Sequence, residues 1–363
     1  MSDWFSLPYS PDLKVDRLAG IFNKYTNSYK FLWFKAILNI LKSSENIIKI
    51  DEILFEILKE AYYPLYIFNL SFGSADGIRK IFDLYPVLKK KEFLFNPKRK
   101  DEILELIHRG AADDLKRYVP TRLLVPFVED HLKGCKDQAK DKRILYLLES
   151  TAVFSEEKTL YRFREESIEI HLDWKKYLEK NTSIIQGWYY YHWILFLQSR
   201  NPNVPAIPAK IMEHQTRNSL RLQRDFWMAA ARLTPLVCIY SGKPIRDDEF
   251  HLDHFIPWSF VGHDQLWNLV PVDKIINSTK NDRIPHRRFL EKMAERHHRA
   301  LEETRRSMDS NTWNKTVESY QADLHIDLTG DIVLEQVQSA YQTIVQSLLN
   351  LAVNSGFSGN WEP

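Results

Sequence analysis

Two cysteines in 363 residues, Cys135 and Cys238, are too few for a disulfide framework or a four-cysteine zinc site. Their scarcity fits a reducing compartment, and a cytoplasmic protein is expected. Long apolar runs are missing too. No stretch approaches the roughly 20 residues that cross a bilayer, and the opening MSDWFSLPYSPDLKVD lacks the basic patch, apolar core and small-residue cleavage site of a signal peptide. No membrane partner is expected. Glycine is sparse at 11 residues, and none of it forms a phosphate-binding loop; internal repeats, low-complexity tracts and a zinc-protease helix motif are absent as well. Nor is there a large excess of charge. At a net +2, any affinity for nucleic acid must come from local clustering.

What is present is an ordinary globular composition, 44% hydrophobic and 27% charged, in a chain long enough for two or three domains. From Asp16 to Lys42 apolar residues recur at spacings of three and four, with a break near Thr26-Asn27-Ser28, which predicts helices. DEILFEILKEAYYPLYIF continues the pattern, with Asp51 as N-cap and Pro64 as kink or stop. GWYYYHWILFL, 187–197, predicts a buried helix with Trp188, Tyr191, Ile194 and Leu195 on its inner face, in preference to a base-stacking platform. Residues 1–200 thus read as a helical domain that targets, regulates or recruits a protein partner. The prolines of RNPNVPAIPAK mark 201–208 as a semi-extended linker.

Beyond the linker, the helical pattern of 211–233 gives way to short β-prone pieces, CIYSGKPI, EFHLDHFIPWS and LWNLVPV. Helical spacing then returns to the end, with Asp331 as a cap and Gly356 as a stop. This divides the remainder into a module at 209–290, including its leading helix, and a helical extension at 291–363. The fold class is mainly α, with a small β-containing module between helices. Asp253 and His254 stand side by side in the middle of an apolar run, where an acid and an imidazole cost free energy unless partners or a purpose compensate. A hairpin followed by a helix brings Asp253, His254, Asn268 and Asn277 to one point from three elements. Adjacent strand residues point to opposite faces, so the strand must end or twist at His254, and Pro257 supports an early end. On the helix, Asn277, Lys280 and Asn281 share a face while Ile275 and Ile276 turn to the core.

In LDHFIPWSF, LWNLVPV and INSTKND this region resembles the HNH endonucleases, the ββα-metal family. CIYSGKPI resembles the family's Cys-x-x-Cys knuckle with Ser241 in place of the second cysteine, so no structural zinc is expected and packing against flanking helices should hold the module. The likeness covers about 235–285. It implies a metal-dependent phosphodiester hydrolase with His254 as general base, Asn268 holding the imidazole and its loop, and Asp253 and Asn277 as ligands of Mg²⁺ or Mn²⁺.

Elementary chemistry agrees: hydrolysis needs an activated water, which an imidazole titrating near neutrality can supply, and charge neutralisation at the phosphate, which suits a hard cation with few protein oxygens. Lys280, Arg283, Arg287 and Arg288 are candidate nucleic-acid-binding residues that grip phosphates without reading sequence; the alternative for the arginines is pairing with Glu291 and Glu295. His251 and His263 flank the site as substrate contacts or as solvated or core histidines, Asp247, Asp248 and Glu249 read as an acidic turn, and His297 and His298 as solvated. The expected substrate is DNA, in prokaryotic defence or mobile-element biology by family habit. An RNA substrate, and a helical binding protein with an inactive insert, stay open as alternatives.

Overall fold

The computed structural model describes residues 6–41, 46–211, 219–246 and 249–363. The chain is mainly helical and divides into two compact units, Met1–Pro202 and Asn203–Pro363. Among the described residues no helix is long and apolar enough to cross a membrane.

In the first unit the chain breaks between Phe22 and Tyr29, as the polar 26–28 stretch predicts, and then forms α1 (Tyr29–Leu41). Strand β1 (Ile47–Lys49) leads into α2 (Ile50–Tyr62), where Lys49 and not Asp51 holds the N-cap position, without a side-chain capping bond; Asp51 lies in the first turn and pairs with Lys116 at 3.0 Å. Strands β2 (Tyr161–Arg164) and β3 (Ser167–Ile170) complete an antiparallel sheet of order β1-β3-β2 that the helical reading did not anticipate. The aromatic stretch lies in α3 (Thr182–Arg200). Its buried side carries Ile185, Trp188, Tyr189, Trp193 and Phe196, whereas Tyr191 and Leu195, expected inside, are 40% and 48% exposed. Phe22, stacked on Phe31 at 4.5 Å and on Trp188 at 5.0 Å, decides which face turns inward.

Residues 201–206, in the expected linker, are without helix or strand, and a short helix follows at Ile207–Ile211, where Lys210 is fully buried, donating to the carbonyls of Pro205 at 2.6 Å and of Phe260. Burial pulls its ammonium pKa down to about 7. The predicted helix over 211–233 is seen as α4 (Arg221–Ala231); residues 212–218 lie outside the described residues, as do Asp247 and Asp248 of the acidic turn. The module itself is β4 (His251–His254), the single helical turn α5 (Trp258–Val261), β5 (Leu269–Val272) and α6 (Lys274–Lys280). Helix α7 (Phe289–Ser307) packs on α4, on α8 (Ser310–Ala322) and on α9 (Leu334–Ala340), and α10 (Gln346–Asn354) ends at Gly356, whose φ of 92° suits a glycine stop. The chain returns at its far end: Ile284 N–H donates to Ser358 at 2.8 Å, and Trp361 exchanges backbone bonds with Ile284 and His286 at 2.9 Å each.

Candidate active site

Strands β4 and β5 are antiparallel, with Asp253 opposite Val270 and His254 opposite Leu269. One more backbone bond, Phe255 N–H to Asn268 C=O at 2.8 Å, follows before Pro257, which has no N–H to donate, opens α5. Asn268 lies in a 3₁₀ turn just before β5, not within the strand. It is fully buried and holds both backbone polar groups of one residue: its Oδ1 accepts from Ile256 N–H at 2.8 Å and its Nδ2 donates to Ile256 C=O at 2.9 Å. Asn268 therefore fixes the loop after His254 and does not touch the imidazole.

Asp253 and His254 turn to different partners, as neighbours on a strand must. Asp253 is 2% exposed. One carboxylate oxygen accepts from Tyr240 Oη at 2.7 Å and the other from Lys280 Nζ at 3.0 Å, while Lys280 also donates to His254 C=O at 2.6 Å. Lys280, expected to meet a phosphate, is fully buried: the last turn of α6 aims it inward at Asp253, and Ile275, expected in the core, is 71% exposed. Burial, reinforced by the Asp253 charge, drives the Tyr240 phenol well above its ordinary pKa. Tyr240 stacks near Phe255 and meets Phe289 and Trp361 edge-on at 5.1 and 5.2 Å, so an aromatic cluster anchors the knuckle to the module. The knuckle itself is closed by backbone bonds between Cys238 and Lys243 and between Cys238 and Gly242, each 2.9 Å.

The imidazole of His254 finds a partner that sequence reasoning passed over. Its Nε2 lies 2.8 Å from Asp264 Oδ1, with the two side chains 12% and 15% exposed. Gly262, at φ 72°, ends α5 in the left-handed conformation and swings the chain back so that Asp264 faces His254. Gln223 of α4 holds the Asp264 carbonyl at 2.9 Å. His263 lies edge-on to Trp267, whose indole donates to Asp323 at 2.7 Å; burial lowers the His263 pKa, which Asp323 opposes and His254 reinforces. The remaining signal in the sequence was an acid ten residues after the histidine, in a turn between two strand-like runs.

Asn277 is half-buried on α6, one turn before Lys280. His251 is exposed at the start of β4. Arg283, Arg287 and Arg288 are exposed; Arg283 lies over Trp361 and Arg288 pairs with Glu362 at 2.9 Å, not with Glu291. His297 and His298 are not solvated: His297 is fully buried against Tyr320 and Tyr341, and His298 bonds the Ile332 carbonyl at 2.8 Å.

A strand pair, a short helix, an Asp-His step at the strand end and an asparagine clamp make up a ββα unit. Residues 238–286 match the HNH endonuclease family. The HNH match begins at the knuckle cysteine and ends at His286; it leaves the first unit unassigned. Comparison with characterised proteins and with solved structures gives no match.

HNH nucleases work with divalent cations. Among the described residues no three His, Cys, Asp or Glu side chains converge as a metal site. The two-oxygen donor set of Asp253 and Asn277 has the chemistry for Mg²⁺, but the arrangement does not fit an ion: Asp253 is enclosed, and an ammonium already lies at 3.0 Å from it. An ion could use that carboxylate only after Lys280 had left it.

Proposed function

We propose that the second unit is a phosphodiester hydrolase acting on nucleic acid, with DNA as the substrate, and that His254 is its general base. The observation that carries this reading is the 2.8 Å contact of His254 with Asp264. A carboxylate at Nε2 holds the proton there and leaves Nδ1 as the nitrogen with a lone pair, which can take a proton from an attacking water. Asp264 thus positions the base, and Asn268, by gripping the Ile256 backbone, keeps the loop from carrying the imidazole away. The ring is mostly shielded, so its orientation is set by the protein and not by water. A divalent ion, when bound, would supply charge neutralisation at the phosphate and at the departing oxygen. The first unit is proposed to target or recruit the nuclease.

Supercoiled plasmid and a structured RNA, each incubated with the protein in Mg²⁺, in Mn²⁺ and in EDTA, test the proposal. Cutting of the plasmid in the presence of metal is expected. His254→Ala should slow it by about 10²–10⁴-fold at unchanged circular dichroism. Asp264→Asn should approach the same loss, because an amide can turn its N–H₂ toward Nε2 and force the proton onto Nδ1. Equal cleavage by His254→Ala and wild type would remove His254 from the chemistry.

A further inference from the structure

Beside the start of β4, on the side of the hairpin away from the His254 end, the second unit opens a cleft of about 1090 Å³. Its walls come from the first turn of α4, from the loop after the knuckle and from the start of α6. Arg221, Arg224, Arg246 and Lys274 line it, with exposed His251 between them. The two acids described in the lining are both engaged: Asp273 caps α6 through Ile275 N–H at 2.7 Å, and Glu249 pairs with Arg246 at 3.1 Å. That pair, and the 3.8 Å approach of Arg221 to Asp225, are solvent-exposed and hold their arginines weakly. The side chains of Arg221 and Arg246 are 87% and 78% exposed. Arg224 differs: its guanidinium donates to the Phe250 carbonyl at 2.9 Å and lies 4.4 Å from the Phe250 ring, so it forms the cleft floor.

We infer that this cleft holds the phosphodiester backbone of the strand that His254 cuts, a few nucleotides from the scissile bond. The inference rests on the nuclease reading above and names where its substrate lies. The volume is above what a small ligand fills, and four cationic side chains stand around it among apolar ones, which suits an elongated polyanion. The distance is right as well: His254 lies three residue steps along the strand from His251, about 10 Å, or roughly three base steps of duplex. One helical turn serves both places, since Gln223 holds the Asp264 loop while its neighbours Arg221 and Arg224 face the cleft. Arg221 and Arg224 lie outside the segment that matches the HNH family and Arg246 and Lys274 within it, so the grip is shared between the module and the helix that leads into it.

Binding of a DNA duplex and an RNA duplex to the full chain, in EDTA and over a NaCl series, tests this. The variant Arg221→Gln/Arg246→Gln/Lys274→Gln removes three exposed charges and spares Arg224, which the fold needs. Its affinity should fall several-fold or more at low salt, and the log–log salt slope should flatten by about one unit per lost contact, for whichever duplex the wild type binds. Arg287→Gln/Arg288→Gln is the comparison on the other basic edge, and a smaller change there is expected. An unchanged slope in the triple variant, a loss confined to the Arg287/Arg288 variant, or wild-type protein that binds neither duplex overturns the inference. The two readings fail separately: cleavage that needs His254 with normal binding by the triple variant refutes the cleft alone, whereas weakened binding by the triple variant with cleavage indifferent to His254 refutes the base.

Discussion

At the scale of single residues, partner choice divides the Asp-His step into two jobs. Asp253 is sealed into a buried ion pair with Lys280, and only His254 keeps a polar face toward a turn that another carboxylate can reach. That division was half legible. The motif spacing marks Asp253, His254, Asn268 and Asn277, but no periodicity says which way a lysine on a seven-residue helix will point, and Asp264 carries no pattern of its own. His297 was misplaced for a different reason. Charged neighbours hid the fact that it repeats the buried spacing of Leu290, Met293, Ala294 and Leu301 along α7. Burial, with the Arg296 charge adding, pushes its pKa down to about 3. The unfolded chain therefore takes up a proton below about pH 6.5 that the native state refuses, so this residue's contribution is full at neutral pH and is lost as pH falls toward 3. Thermal midpoints of wild type should drop between pH 7 and 5, with a slope near 1.4 kcal/mol per unit from this one site at the acid end. His297→Gln should be less stable at pH 7 yet show a shallower acid loss; an identical pH slope in both proteins would assign the acid sensitivity elsewhere.

At the scale of elements, the hairpin and its following helix were readable because alternation, turn residues and the proline all agree, whereas the strands of the first unit were not, being three or four residues long between helical patterns. The turn that delivers Asp264 depends on Gly262. Its φ of 72° excludes most side chains, and a Cβ there would lie 2.9 Å from that of Ala206. Gly262→Ala should cost about 1–2 kcal/mol from the backbone alone, lower the melting temperature and reduce cleavage by displacing Asp264. Ala206 itself stands at φ 53°, so Ala206→Gly alone is the reference, and the double variant should fall short of it by the dihedral cost at 262. A double variant as stable as Ala206→Gly would mean that the contact, and not the backbone, sets the requirement.

At the scale of the molecule, helical content was legible throughout, but the order of packing was not. A boundary at 290 follows from composition, yet Trp361 closes the aromatic cluster on Tyr240 and bridges to Pro285. Such a contact joins positions too far apart for any local pattern to announce. Trp361 is 5% exposed, and Trp361→Ala should destabilise the second unit by about 3–5 kcal/mol. Cleavage should then show a lower temperature limit, because the loss reaches Asp253 through Tyr240. Urea unfolding followed by tryptophan fluorescence and by plasmid cutting would measure both; a variant as stable as wild type would make the returning segment ornamental.

The same returning segment sets a clock on biosynthesis. Trp361 is translated 361 − 284 = 77 residues after Ile284, its backbone partner. At about 5–20 residues per second this is a delay of roughly 4–15 s. During that interval the newborn chain already carries Asp253, His254 and Asp264 but not the tryptophan that closes the ring around Tyr240, so a nascent polypeptide has the side chains of the candidate site for some seconds before it has the finished fold around them.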